Sequence, residues 1–172
     1  MNSTVPTPVP RLVLGIGNIL LGDEGVGVRI IEALRACIDA SRRERAPCLP
    51  AGKMPKDVEV ADGGTGGLDL VDLMAGRRKV IVIDAAEFDG RPGDILRFTA
   101  ADLGRRESVG LSLHDLGLAE ALTMMRHLGC EPEEVVVFGI KPKRIAPGLD
   151  LTAEVAAAVP KAVERVLEEL DR

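Results

Sequence analysis

LVLGIGNILLGDEGVG, the stretch Leu12–Gly27, decides how this chain is read. A short apolar run breaks into Gly15-Ile16-Gly17-Asn18, and the acidic pair Asp23 and Glu24 follows just before a helix. A strand, a loop and a helix in that order place carboxylates at the carboxyl edge of a sheet, where α/β proteins keep their chemistry. The same stretch excludes a dinucleotide fold, because Leu20 stands where a GxGxxG fingerprint needs its third glycine.

Outward from this segment, apolar strands alternate with amphipathic helices. Arg11–Gly15 reads as a strand, and Gly25 to about Asp39 as a helix with Val28, Ile31 and Leu34 on one face. Ser41–Lys56, polar with prolines and arginines, reads as a surface loop. Asp57–Ala61 is a strand that stops at Asp62-Gly63-Gly64, and Leu68–Ala75 a short helix. Lys79–Ile83 is a buried strand ending at Asp84, and Asp94–Phe98 a weaker one. His114–Leu128 is a helix, Val135–Ile140 a strand and Thr152–Leu170 a last helix, which Pro160 is expected to kink or divide. This order predicts a three-layer αβα sandwich with a mostly parallel sheet, its continuous apolar strands in the centre. Only a short loop containing Gly90, Pro92 and Gly93 precedes the Asp94–Phe98 strand. So short a connection suits an antiparallel edge strand and not a right-handed crossover.

At 172 residues and 46% apolar composition the chain is long enough for one domain, residues 11–172, behind a flexible tail at 1–10. The tail, MNSTVPTPVP, lacks the basic and apolar regions of a signal peptide. No apolar run reaches the length of a membrane span. A net charge of −5 argues against nucleic acid as a partner, and the absence of Trp and Tyr against a base-stacking surface. The three cysteines, Cys37, Cys48 and Cys130, form no CxxC pair. That pattern fits a cytoplasmic location and neither a disulfide framework nor a zinc knuckle.

The carboxyl ends of the parallel strands share one rim. Asn18, Asp23 and Glu24 follow the first strand, Asp62 the second, Asp84 and Glu87 the third, and Lys141 and Lys143 the last. Converging carboxylates repel one another unless a cation offsets them. His114 stands just ahead of a helix that meets this rim, whereas His127, in the last turn of that helix, suits the helix dipole. Glu24, Asp84 and His114 together make an oxygen-and-nitrogen donor set suited to zinc, nickel or manganese. Asp23 and Asp62 share the same rim and are equally placed candidates by position alone. Asp62–Gly67, DGGTGG, reads either as a tight turn needing positive φ or as a backbone nest for an anion. Walker A and GxSxG patterns are absent, and no serine or cysteine stands out as a covalent nucleophile.

Six stretches make the chain resemble the hydrogenase maturation endopeptidases: Leu12–Leu34, DGGTGGLDL at Asp62–Leu70, VIVIDA at Val80–Ala85, PGDILRF at Pro92–Phe98, LSLHDLGLAEAL at Leu111–Leu122 and VVVFGIKP at Val135–Pro142. Such proteases remove a C-terminal extension from the large subunit of [NiFe]-hydrogenase once nickel is in place. The resemblance implies a five-stranded sheet with the fourth strand antiparallel, of the phosphorylase/hydrolase-like type. It implies that Glu24, Asp84 and His114 recognise nickel carried by the precursor, other divalent ions being possible substitutes. It further implies a monomer whose partner is that precursor, and it places Asp62 in the family's DGGT segment, where it shapes the cleft or assists catalysis. The candidate general bases are Asp23, Asp62 or an unligated oxygen of the Glu24, Asp84 and His114 trio. A chaperone that holds the large subunit without cutting it is the alternative. Two departures from the family pattern are the long Ser41–Lys56 loop and Lys141, which stands where relatives often carry glutamine or an apolar residue.

Overall fold

The computed structural model describes residues 10–42, 57–103 and 116–172. Strands β1 (Arg11–Gly15), β2 (Val58–Asp62), β3 (Lys79–Ala85), β4 (Ile95–Thr99) and β5 (Glu134–Ile140) form one sheet in the order β2-β1-β3-β5-β4. All neighbours pair parallel except β4, which runs antiparallel to β5 at the edge. Helices α1 (Val26–Arg42) and α5 (Ala153–Leu170) cover one face. Helices α2 (Asp69–Met74) and α4 (Leu116–Leu128) cover the other. A further short helix, α3 (Ala100–Leu103), follows β4 directly.

The pleat sorts each central strand between the two covers. Val13, Ile81, Ile83, Val136 and Phe138 enter the α1/α5 core, while Leu12, Leu14, Val80, Val82 and Val137 enter the α2/α4 core. A strand buried on both faces needs an unbroken apolar run, and β3 is buried at every position. The edge strands β2 and β4 are only partly buried. The antiparallel edge strand, the αβα layers and the five strands agree with the expectations from sequence.

Three details differ from those expectations. Pro10, placed in the tail, accepts amide hydrogen bonds at its carbonyl from Arg78 (2.8 Å) and Lys79 (3.2 Å). Residues 1–9 lie outside the described residues. Helix α1 runs to Arg42, and the rest of the expected 41–56 loop, with Cys48, lies outside the described residues. Pro160 does not divide α5, which is one helix from Ala153 to Leu170. Both Pro160 and Ala156, whose carbonyl loses its helical partner, sit on the exposed side, where water can replace the missing donor.

The amino end of the sheet is pinned by a buried ion cluster. Glu169 is 2% exposed and takes a bidentate pair of bonds from Arg97, Nε to Oε2 at 2.8 Å and Nη2 to Oε1 at 3.1 Å. Lys79 Nζ adds 2.9 Å to Oε1 and 3.0 Å to the Glu169 carbonyl. The Arg97 bonds, then the Lys79 ammonium, outweigh burial and hold the Glu169 carboxyl down at about 2. A carboxyl depressed from its ordinary 4.5 stabilises the fold fully above that value and loses its contribution as pH falls towards 2. The opposite end depends on close backbone approach: a Cβ on Gly27 would lie 2.2 Å from the Ile16 carbonyl oxygen and 2.3 Å from that of Ile83.

Two outcomes follow for stability, both read by urea unfolding. Glu169→Gln lowers the unfolding free energy at pH 7 by about 3 kcal/mol, and the gap to wild type closes between pH 5 and pH 2. Gly27→Ala costs about 3 kcal/mol or more, because making room would pull apart Ile16 and Ile83, which the Ile16 N–H to Ile83 carbonyl bond holds together.

Candidate active site

The rim is assembled by backbone bonds between strand ends. Ile16 N–H donates to the Ile83 carbonyl at 2.8 Å, Gly63 N–H to Gly15 and Gly17 N–H to Gly64, both at 2.8 Å. Gly17 adopts φ +139°, and a Cβ there would lie 1.9 Å from the Glu24 carbonyl oxygen, so the chain can fold back only over a glycine. The Asn18 side chain accepts from Leu20 N–H at 3.0 Å and shapes the next turn. A 3₁₀ turn, Asp23–Gly25, then leads into α1 and packs against β3.

Asp23 and Glu24, adjacent in that turn, have opposite environments. Asp23 is fully buried and accepts four hydrogen bonds. Lys143 N–H and Arg144 N–H reach Oδ2, each at 3.0 Å, and so does the Thr152 hydroxyl at 2.9 Å; Thr152 N–H reaches Oδ1 at 2.7 Å. Burial alone would raise its pKa, but the amides of Thr152 and Arg144, the Thr152 hydroxyl and the Lys143 amide together bring it below the ordinary 3.8. A carboxylate this enclosed and this acidic is an anchor for the 143–152 loop. Its geometry does not suit the general-base role expected from sequence, which needs a lone pair open to water.

Glu24 is half-buried, yet its Oε2 is buried without a hydrogen-bond partner among the described residues, the only such side-chain atom there. Leaving a buried carboxylate oxygen without a partner costs about 1–3 kcal/mol or more, so the position calls for a cation or a donor beyond the described residues. Asp84, 2% exposed near the end of β3, accepts from Ala85 N–H at 2.7 Å. Strand alternation puts Asp84 on the α2/α4 side, with Val80 and Val82. It puts Asp62, last residue of β2, on the α1 side with Val58 and Val60, two strands from Asp84. Asp62 is exposed, and its Oδ1 caps Gly64 N–H at 2.8 Å. His114 lies outside the described residues, which by themselves contain no group of three His, Cys, Asp or Glu placed to hold a metal.

The remaining rim residues are accounted for. Lys141 pairs with Glu87 and stands 6.0 Å from the Phe88 ring centre. Lys143 Nζ meets Glu154 at 2.5 Å. The DGGTGG segment is the tight turn: Gly64, Gly66 and Gly67 have positive φ, and the amides of Gly63, Gly64 and Gly66 are already bonded within the chain. His127 closes α4 with Nδ1 2.7 Å from the Thr123 carbonyl oxygen, the helix-terminal role expected of it. Sequence reasoning missed Thr152, whose hydroxyl and amide both serve Asp23. Its only signal was a threonine just ahead of a helix.

Residues 48–169 match the HycI family model, described as hydrogenase maturation protease. The chain belongs to the hydrogenase maturation protease family. It is 37% identical over 160 residues to the hydrogenase 2 maturation protease of Escherichia coli K12, covering 92% of this chain and 89% of that one. Among solved structures it resembles the hydrogenase maturating endopeptidase HybD of E. coli, with TM-score 0.77, 35% identity and 94% and 91% coverage. HybD of Thermococcus kodakarensis, a [NiFe] hydrogenase maturation protease, superposes with TM-score 0.70 at 26% identity, covering 94% and 99%. A hydrogenase maturation protease is a peptidase, and the chaperone alternative finds no support among these relatives. No helix of the described residues is long and apolar enough to cross a membrane.

The Asp23 anchor is tested by Asp23→Asn. The amide turns one acceptor into a donor facing backbone N–H groups, so unfolding free energy falls by about 2 kcal/mol or more. Hydrogen exchange at the Lys143, Arg144 and Thr152 amides accelerates.

Proposed function

We propose that this protease removes the C-terminal extension of a [NiFe]-hydrogenase large-subunit precursor after nickel has entered it, and that nickel on the substrate is the signal it reads. The observation that carries this reading is the buried Oε2 of Glu24, which has no hydrogen-bond partner among the described residues, on the rim beside the β3 end that carries Asp84. Glu24, Asp84 and His114 are the residues assigned to hold the ion, a donor set of carboxylate oxygen and imidazole nitrogen that suits nickel. When bound, such an ion polarises a carbonyl or a water molecule.

The general base is assigned to Asp62 in preference to Asp23. Asp62 is exposed on the same edge, and only its Oδ1 is engaged among the described residues. It takes a proton from the attacking water; the hydroxyl joins the scissile carbonyl carbon, the C–N bond breaks, and the proton passes to the leaving nitrogen. With β1 between them, the ends of β2 and β3 are about 10 Å apart, which an extended substrate crosses in about three residues. The proposal therefore has the substrate lie across the carboxyl ends of β2, β1 and β3, with the ion at one side and Asp62 at the other. It includes an aspartic-type, non-covalent mechanism. It also includes a monomer that acts in the cytoplasm on no nucleic acid or membrane, consistent with the net charge of −5 and the absence of a CxxC pair.

Purified protein mixed with nickel-loaded precursor is expected to release a C-terminal peptide, seen by mass spectrometry, while nickel-free precursor stays intact. Glu24→Ala, Asp84→Ala and His114→Ala each abolish the release, and Asp62→Asn slows it at least about a hundredfold. Wild-type rates in all three alanine variants, or equal cleavage of both precursors, would overturn the assignment.

A further inference from the structure

Seven large apolar side chains are exposed among the described residues, and four of them, Ile19 (38%), Leu20 (60%), Ile145 (37%) and Leu149 (59%), belong to two loops that are bonded to each other. Gly22 N–H donates to the Gly148 carbonyl and Gly148 N–H to that of Leu20, each at 2.9 Å, and Ala146 N–H to that of Leu21 at 3.3 Å. Arg29 Nη2 holds the Leu149 carbonyl at 3.0 Å. Asp23 locks the same loop from beneath through Lys143, Arg144 and Thr152. From Lys143 to Asp150 every residue but Ala146 is exposed. The segment is thus held rigid by backbone bonds while burying almost none of its own side chains. A loop ordered for stability would bury its apolar groups; one that displays them on a fixed frame is preorganised for a partner.

We propose that this Ile19–Leu20/Ile145–Leu149 platform is the docking surface for the folded body of the large-subunit precursor, as distinct from its C-terminal tail. The proposal rests on the substrate reading above. Its occupant follows from continuity with the rim. The backbone of Ile19 lies against the turn that carries Glu24: a Cβ on Gly25 would come within 2.8 Å of Ile19 Cα. A precursor that presents its metal to Glu24 brings the part of its fold that carries the ion to this rim, so its folded body meets the surface beside it. An apolar centre on that surface is what a protein face, and not an extended polar tail, would cover.

The test uses Leu20→Asp, Leu149→Asp and the double variant, with a nickel-loaded precursor that the wild-type protein processes. The double variant is expected to raise KM about tenfold or more while kcat stays within about twofold of wild type. It also loses affinity, by interferometry, for the large subunit already lacking its extension, and keeps the wild-type melting temperature. Glu24→Gln should do the reverse, abolishing processing while binding the tailless subunit at wild-type strength. Unchanged KM and unchanged affinity in the double variant would overturn the proposal, as would loss of tailless-subunit binding in Glu24→Gln. Dissolution of a wild-type dimer by the double variant in sedimentation velocity, with KM unchanged, would make the platform a self-interface and also overturn it. If wild type processes no nickel-loaded precursor, the substrate reading has failed and the docking proposal falls with it.

Discussion

The Asp23 carboxylate holds together everything this protein presents at the carboxyl edge of its sheet. Its four hydrogen bonds draw the 143–152 loop against the turn after β1. In a 3₁₀ turn successive side chains diverge by about 120°, so a carboxylate turned inward at one position sends its neighbour elsewhere. Asp23 is thereby committed to the loop and Glu24 to the rim. Two adjacent acidic residues thus do opposite work: one is saturated with donors, the other has an oxygen that no donor among the described residues reaches.

The two ends of the sheet differ in the same sense. At the amino end a buried charge is fully compensated, Glu169 by Arg97 and Lys79, and ties α5 to β3 and β4. At the carboxyl end Glu24 Oε2 has no partner among the described residues. A buried ion pair with every lone pair answered is structural; a buried oxygen kept unanswered is tolerated where something from outside completes it. Glycines at 17 and 27 allow this edge to be built, since side chains there would strike the backbone of the turn and of β1 and β3.

Much of the fold was legible in the chain. The apolar runs Leu12–Leu14 and Val80–Ile83 could belong only to strands buried on both faces. The short connection before β4 excluded a crossover and so made that strand antiparallel. Pro160 does not divide α5 because its effect depends on which side of the helix it faces, and α5 turns it to solvent. Helix α3 went unread because four residues carry no periodicity. At the site, the resemblance pointed to Glu24 and Asp84 among several rim acids, but the residues alone did not separate Asp23 from Glu24. Both are acidic, both precede α1, and neither the pattern nor the spacing records which one finds Thr152, 129 positions away from Asp23.

Sequence by itself determined the element order, the parallel centre, the edge strand and the collection of acids on one rim, because these follow from local periodicity, connection length and the shared direction of parallel strands. Tertiary structure alone decided that Asp23 is spent within the fold while Glu24 Oε2 finds no partner among the described residues, and that Asp62 and Asp84 lie on opposite faces two strands apart. It alone also joined the loops that display Leu20 and Leu149. The physical reason is one of range. Periodicity is written between neighbours in the chain, whereas a carboxylate's hydrogen bonds are decided by whichever donors the folded backbone brings within about 3 Å of it.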